Sequence, residues 1–200
     1  LVWVYVPLQL TGTVVGAWIA VTQELPGFGY AALVLTVGAI NGIGIGTAHE
    51  LGHKKETLDR WLSKIALAPS AYGHFFVEHN RGHHKRVATP EDPASARMGE
   101  SFWAFLPRSV WGSLQSAWAL EQERLNKQGH SVWHLQNHNL QAWGLTLVLF
   151  GALVAWLGWI VLPFLLLQAV YAISMLEVVN YVEHYGLLRQ RDASGRYVRC

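Results

Sequence analysis

The sequence predicts an all-α fold, a polytopic transmembrane helical bundle with a histidine-rich metal site at one end, and three observations predict it. Hydrophobic residues make up 52% of the 200 and charged residues only 14%, with a mean hydropathy of +0.20, too apolar for a soluble domain. The fifteen Lys and Arg are confined to two stretches, eleven from Lys54 to Lys127 and four from Arg189 to Arg199, so positive charge marks one side of a membrane. Six of the ten histidines fall at the basic ends of apolar stretches or just beyond them. This composition excludes a disordered chain, a collagen and a nucleic-acid-binding domain. Cys200 is the only cysteine, which excludes a disulfide framework and a thiolate metal knuckle, so any metal rests on nitrogen or oxygen.

The elements follow in order. Residues 1–22 and 28–48 each supply about 20 uncharged residues, enough at about 1.5 Å per residue to cross a bilayer core of about 30 Å. The short QELPG link makes them a helical hairpin. From Lys54 to Gln141 the chain is mixed in polarity, and within it Trp111, Leu114, Trp118 and Leu125 share one helical face, which predicts a helix lying in the membrane interface. His130, His134 and His138 are spaced by four and are expected on one solvated helix face. The apolar tract from Ala142 to Val182 contains Gly158 and Pro163 and is read as two spans folded back on each other. The runs are long and continuous rather than alternating, which argues against a membrane β-barrel. The basic residues after the second span place the 49–140 region and the tail in the cytoplasm.

The histidines carry the chemistry. His49 and His53 are four apart at the end of span two, so both imidazoles leave one helix face and can share a metal. His79 and His83 form a second such pair, and His84 points about 100° away on a helix, an arrangement suited to bridging two centres. His184 ends the last span, with Glu177 and Asn180 on the same stripe. An excess of imidazole without thiolate favours Fe, Zn, Cu or Ni over Mg or Ca, and six candidate nitrogens exceed one structural zinc site. A two-metal site at the mouth of a membrane bundle suits dioxygen activation on an apolar substrate. Glu50, Glu78, Glu177 and Glu183, with Asn80 and Asn180, are candidate partners that fix ligand tautomers. His74 is expected in a pocket beside the ligands. Ile40, Gly42, Ile43 and Gly46, on the turns before His49, are candidate walls of a substrate channel.

The motifs HELGHK, EHNRGHHKRVATPEDPASAR and NYVEHYGL, in this order, resemble the membrane alkane 1-monooxygenase (alkane omega-hydroxylase) family of the histidine-box desaturase and hydroxylase group. The resemblance covers essentially the whole chain. It implies a non-haem di-iron centre with His49, His53, His79, His83, His84 and His184 as ligands, in a six-span protein of the bacterial inner membrane. It further implies that one oxygen atom of O2 is inserted into the terminal C–H of medium- to long-chain n-alkanes to give 1-alkanols, with electrons from rubredoxin and an NADH-dependent rubredoxin reductase. Membrane lipid is then the surrounding partner and nucleic acid is not one. Residues 1–200 are expected to be part of a single di-iron hydroxylase domain. About two spans should precede Leu1 and a further HxxHH box should follow Cys200, so that the 200 residues alone are expected to be inactive. Alternatives are a fatty-acyl desaturase or xylene-type methyl hydroxylase, an HExxH membrane zinc protease with Glu50 as base, and a proton-relay transporter using Glu177.

Overall fold

A computed structural model describes residues 2–198; Leu1, Arg199 and Cys200 lie outside the described residues. The chain runs through α1 (Val2–Thr22), α2 (Gly27–Gly52), α3 (Thr57–Leu67), α4 (Phe75–Val77), a π-helical turn (Glu78–His83), α5 (His84–Arg86), α6 (Phe102–Asn126) and α7 (His138–Leu157). A 3₁₀ turn (Trp159–Val161) then leads into α8 (Leu162–His184). Helices α1, α2 and α7, and α8 with the 3₁₀ turn before it, are long and apolar enough to cross a membrane, and the chain is an integral membrane protein. The break between the last two spans falls at the expected glycine. Gly158 closes α7 at φ +79°, which a Cβ would disfavour, and Pro163 sits in the first turn of α8, where its missing N–H costs nothing.

Helix α2 is the hub, packing against α8, α3 and α1. Its approach to α8 depends on two glycines. A Cβ at Gly38 would stand 2.8 Å from the Tyr171 ring and 2.9 Å from the Gln168 carbonyl, and one at Gly42 would stand 3.1 Å from the Met175 sulfur. One turn further on, a Cβ at Gly46 would meet nothing within 4 Å. The two helices therefore touch at Gly38 and Gly42 and separate above them, and the space between them opens toward His49.

Two apolar clusters fill the bundle. One, around Val6, Ile45, Leu51 and Phe75, lies toward the histidines; the other, around Ala17, Val37, Leu153 and Phe164, lies at the far side. Between them is a fully buried polar layer. Gln9 donates to Asn41 (3.0 Å) and to the Ala66 carbonyl (2.9 Å), Asn41 donates to Thr13 (3.1 Å) and Gln168 (2.6 Å), and Gln168 donates to the Pro69 carbonyl (2.7 Å). Side-chain hydrogen bonds between membrane helices contribute about 0.6 kcal/mol each on average. Their larger effect is on rotation, because turning α2 would strand these amides in an apolar interior. That setting carries up the helix to His49 and His53.

Helix α6 differs from expectation. Its buried stripe is Phe105, Ser109, Ser113, Ala117, Glu121 and Leu125, while Trp111 is 61% exposed. The small residues at every fourth position let α6 lie close against the π-helical turn and α4. Trp118 remains half-buried, parallel to Trp143 at 6.0 Å. His130 and His134 do not share a helix with His138. They stack at 4.1 Å in the connection between α6 and α7, and His138 opens α7 with its backbone N–H donated to Glu121 (2.7 Å).

Candidate metal centre

The candidate ligands come from three elements, and the local fold of each decides where its imidazoles point. On α2 the spacing of four sets the His49 and His53 rings 4.6 Å apart. In the second motif the helix is not α-helical. Glu78–His83 form a π turn, whose bonds span five residues, so the residues that share a face are five apart rather than four. His79 and His84 therefore meet, Nε2 to Nε2 at 2.9 Å, while His83 stacks against His79 with ring centres 5.4 Å apart and also faces His184. The expected His79–His83 neighbourhood is kept as a ring stack, and the π turn adds the closer approach of His84 to His79. Gly82 makes room for the wider turn, since a Cβ there would collide with the buried Glu78 carboxylate and the Arg86 guanidinium paired with it.

Two groups of imidazoles result. His49, His53, His79 and His84 offer one nitrogen each, all within 4.8 Å of one another. His84 Nε2 also lies 3.3 Å from His53 Nε2. Beside this quartet, His83 and His184 face each other with ring centres 4.9 Å apart. A first-row ion about 2 Å from each nitrogen keeps its ligand atoms roughly 3–4 Å apart, so the quartet fits a cation without rearrangement of its helices. The imidazoles are also prepared to be neutral donors. Burial, and then the neighbouring His49, His83, His84 and His53, holds His79 down to about 2, and burial followed by His53 lowers His84.

The pair is oriented by hydrogen bonds. His184 Nδ1 donates to the Asn180 carbonyl (2.8 Å), and His83 Nδ1 lies 2.9 Å from the Asp92 carboxylate, leaving Nε2 as the free nitrogen of each ring. Asp92 is buried. Burial alone raises its carboxyl, but hydrogen bonds from His83, Ser95 and the Ala94 N–H outweigh it and bring it below the ordinary range. Sequence reasoning missed Asp92, although it lies in the quoted motif nine residues after His83.

The expected supporting residues are distributed differently. Glu50 is exposed and 4.0 Å from His49 Nδ1, and Glu183 is an exposed residue of the cavity wall. Asn180 serves through its backbone carbonyl. Glu78 is paired with Arg86 (2.9 Å), and its burial raises it to about 7 against the lowering effects of Ser116 and Arg86. Asn80 donates to the Phe76 carbonyl (2.8 Å) and packs beside Gly52, joining the π turn to the end of α2. Glu177 accepts from Tyr72 (2.8 Å) at the centre of the bundle. His74 is buried against Tyr72 with ring centres 4.5 Å apart, and burial lowers it to about 4.

A cavity of about 620 Å³ opens directly beneath the imidazoles between α2 and α8. Its walls are Gly42, Ile43 and Gly46 from α2 and Met175, Leu176 and Val179 from α8, with Phe75 and Val87 near the histidines. His49, His79, His83, His84 and His184 all border it. Ile40 does not. It faces α1, where its side chain lies against Gly12 and its carbonyl accepts the Tyr5 hydroxyl (2.8 Å), because one α-helical residue step turns it about 100° from the Gly42 face per position.

The sequence model of the fatty acid desaturase family matches residues 26–199. Alkane 1-monooxygenase 1 of Alcanivorax borkumensis is 48% identical over 197 residues, covering 98% of this chain and 49% of that protein. Alkane 1-monooxygenase of Pseudomonas putida is 47% identical over 98% of this chain and 49% of its own length, and the xylene/toluene monooxygenase hydroxylase component of the same species is 28% identical over 93% and 45%. The chain spans about half the length of the curated relatives it matches. With its helical membrane bundle and converging histidines, the chain belongs to the fatty acid desaturase family and is similar to alkane 1-monooxygenases.

Proposed function

We propose that the complete protein containing this chain is a non-haem di-iron alkane 1-monooxygenase, converting an n-alkane, O2, two electrons and two protons into a 1-alkanol and water. The observation that carries this reading is the meeting of the imidazole groups with a cavity of about 620 Å³ whose other walls are largely apolar, so that a candidate metal site and a space suited to a hydrocarbon share one boundary. The similarity to alkane 1-monooxygenases supports the substrate class.

His49, His53, His79 and His84 would hold one iron, and His83 and His184 would contribute to the second, together with ligands from outside these 200 residues. Bound there, the irons would supply the reduction of O2 and the oxidation of an unactivated C–H bond. The chain's own contribution is binding and positioning. An alkane offers nothing to hydrogen-bond, so its affinity comes from methylene burial, about 0.8 kcal/mol each, along Ile43, Leu176 and Val179. Gly46 leaves the passage open beside His49, and Met175 against Gly42 closes the far end. From Gly42 to His49 the helix rises about 10 Å at about 1.5 Å per residue, so a short alkane with one end held at the histidines would reach toward Met175.

The exposed residues Lys54, Lys55 and Lys85 surround the exposed His53 and His84, on the side we assign to the cytoplasm. That positive rim suits an acidic electron carrier such as rubredoxin, and turnover supported by rubredoxin should fall as salt rises. A single-zinc HExxH protease is less well supported, because such a site uses three protein ligands and an open position, whereas four imidazoles converge here and two more stand beside them. Cells expressing the complete gene and fed octane, hexadecane and an alkylbenzene should yield 1-alkanols from the alkanes. Desaturated acyl chains, or oxidation of the alkylbenzene alone, would overturn the assignment.

A further inference from the structure

The segment from Ala88 to Glu100 has no regular secondary structure and two prolines, yet Ala88, Thr89 and Asp92 through Ala96 are buried. Buried irregular backbone must find partners for its polar groups, and here they come from three directions. Inward, Asp92 meets His83. On one flank, Arg108 of α6 holds the segment. Its Nε and Nη2 donate to the two Glu100 carboxylate oxygens at 2.7 Å each, Nη1 donates to the Pro93 carbonyl (3.1 Å), and Nη2 donates to the Ser95 carbonyl (3.1 Å). A Cβ on Gly112 would stand 2.7 Å from the Pro93 side chain, so the segment lies flush on α6. On the other flank it binds the end of α8. The Gly186 N–H donates to the Ala96 carbonyl (2.9 Å), the Arg189 N–H to the Ala88 carbonyl (2.7 Å), and the Tyr181 hydroxyl to the Glu100 carbonyl (2.6 Å). The turn is strained where it starts, since Ala88 holds a φ of +58°. One segment thus touches the support of His83 and residues on either side of His184, which lie a hundred residues apart in sequence.

We infer that Arg108 is a positioning residue for the His83–His184 pair. It pins the segment to α6, and so sets Asp92 against His83 and Ala96 against the turn that follows His184, without touching either imidazole. Among the described residues no quartet imidazole hydrogen-bonds this segment, which reaches the quartet only through the stack of His83 on His79, so the effect falls first on the pair. A lysine cannot replace it, because one ammonium on a flexible stem cannot reproduce a planar fork that serves three acceptor groups at once.

The inference rests on the two-group reading of the metal centre, and the test separates them. The complete protein, loaded with iron and purified in nanodiscs, is challenged with a chelator while iron per chain is followed by mass spectrometry and by Mössbauer spectroscopy. Wild type should hold two ions. Arg108→Lys should release one about tenfold more readily and keep the other at the wild-type level, and the near-isosteric Asp92→Asn should reproduce that pattern with the Arg108 clamp intact. Helical circular dichroism confirms that each variant is folded. Equal weakening of both ions, or an unchanged release in either variant, would overturn the role of Arg108. A wild-type protein that holds one ion overturns the two-group reading and this inference with it.

Discussion

The two imidazole groups are built by different means. The quartet is assembled by helical register. The i,i+4 step of α2 and the five-residue step of the π turn aim four rings at one point, with Phe75 stacked on His79 and the exposed Glu50 beside His49. The pair is held by hydrogen bonds of two kinds, His83 to Asp92 in the irregular segment pinned by Arg108 and His184 to the Asn180 carbonyl one turn back in α8. A register-built site is precise as long as its helices hold their rotation. A site built on loops takes its precision from polar contacts that can be removed singly. The quartet should therefore fail through helix geometry and the pair through second contacts.

The largest effect that breaks this contrast is direct ligand removal. His79→Ala should abolish alkane hydroxylation, by at least a hundredfold, and with it one bound metal, read by product formation and metal analysis. His184→Ala should abolish activity equally while sparing the quartet's ion. Next in size, Gly82→Ala drives a methyl group into the Glu78 and Arg86 pair and forces the π turn to shift, which should destabilise the fold by about 1–3 kcal/mol and weaken the quartet's ion before the pair's. Its check is chelator-dependent metal loss beside thermal unfolding.

A smaller effect concerns the space the two groups share. Met175→Ala should lengthen the cavity at its closed end and move the preferred alkane to longer chains, read as the ratio of products from octane and hexadecane in one reaction, which is independent of expression level. An unchanged ratio would remove Met175 as the end wall. The smallest is Glu121→Gln. Burial alone raises this carboxyl, but hydrogen bonds from Arg124 and the His138 N–H hold it down to about 2, below its ordinary 4.5. A depressed acid contributes stability that is present above about pH 4.5 and lost as pH falls toward 2. The variant should flatten the unfolding profile in that window.

Much of the bundle was legible in the sequence, because hydropathy and helix length obey the bilayer. The spans, the break at Gly158 and the hairpin link could be read within a few residues. The membership of the quartet was less legible. His49 and His53 follow from an α-helical repeat, but nothing in the spacing of His79, His83 and His84 announces a π turn, and an ordinary helix would not have brought His84 onto His79 as well. Asp92 was hidden for another reason: its partner is reached by a loop, and loops have no period. Ile40 falls on another face because positions 40, 42, 43 and 46 do not share one α-helical stripe. In α6 the tryptophans drew attention as the apolar face, whereas the stripe that packs is the small one, Ser109, Ser113 and Ala117.

The most direct test of the central claim is X-ray absorption at the iron edge of the complete protein, with and without His79→Ala. A di-iron centre should give two irons per chain surrounded by imidazole nitrogen at roughly 2.1 Å, and a loss of about half the iron signal in the variant. A single zinc, or a first coordination sphere that stays unchanged when His79 is removed, would contradict it.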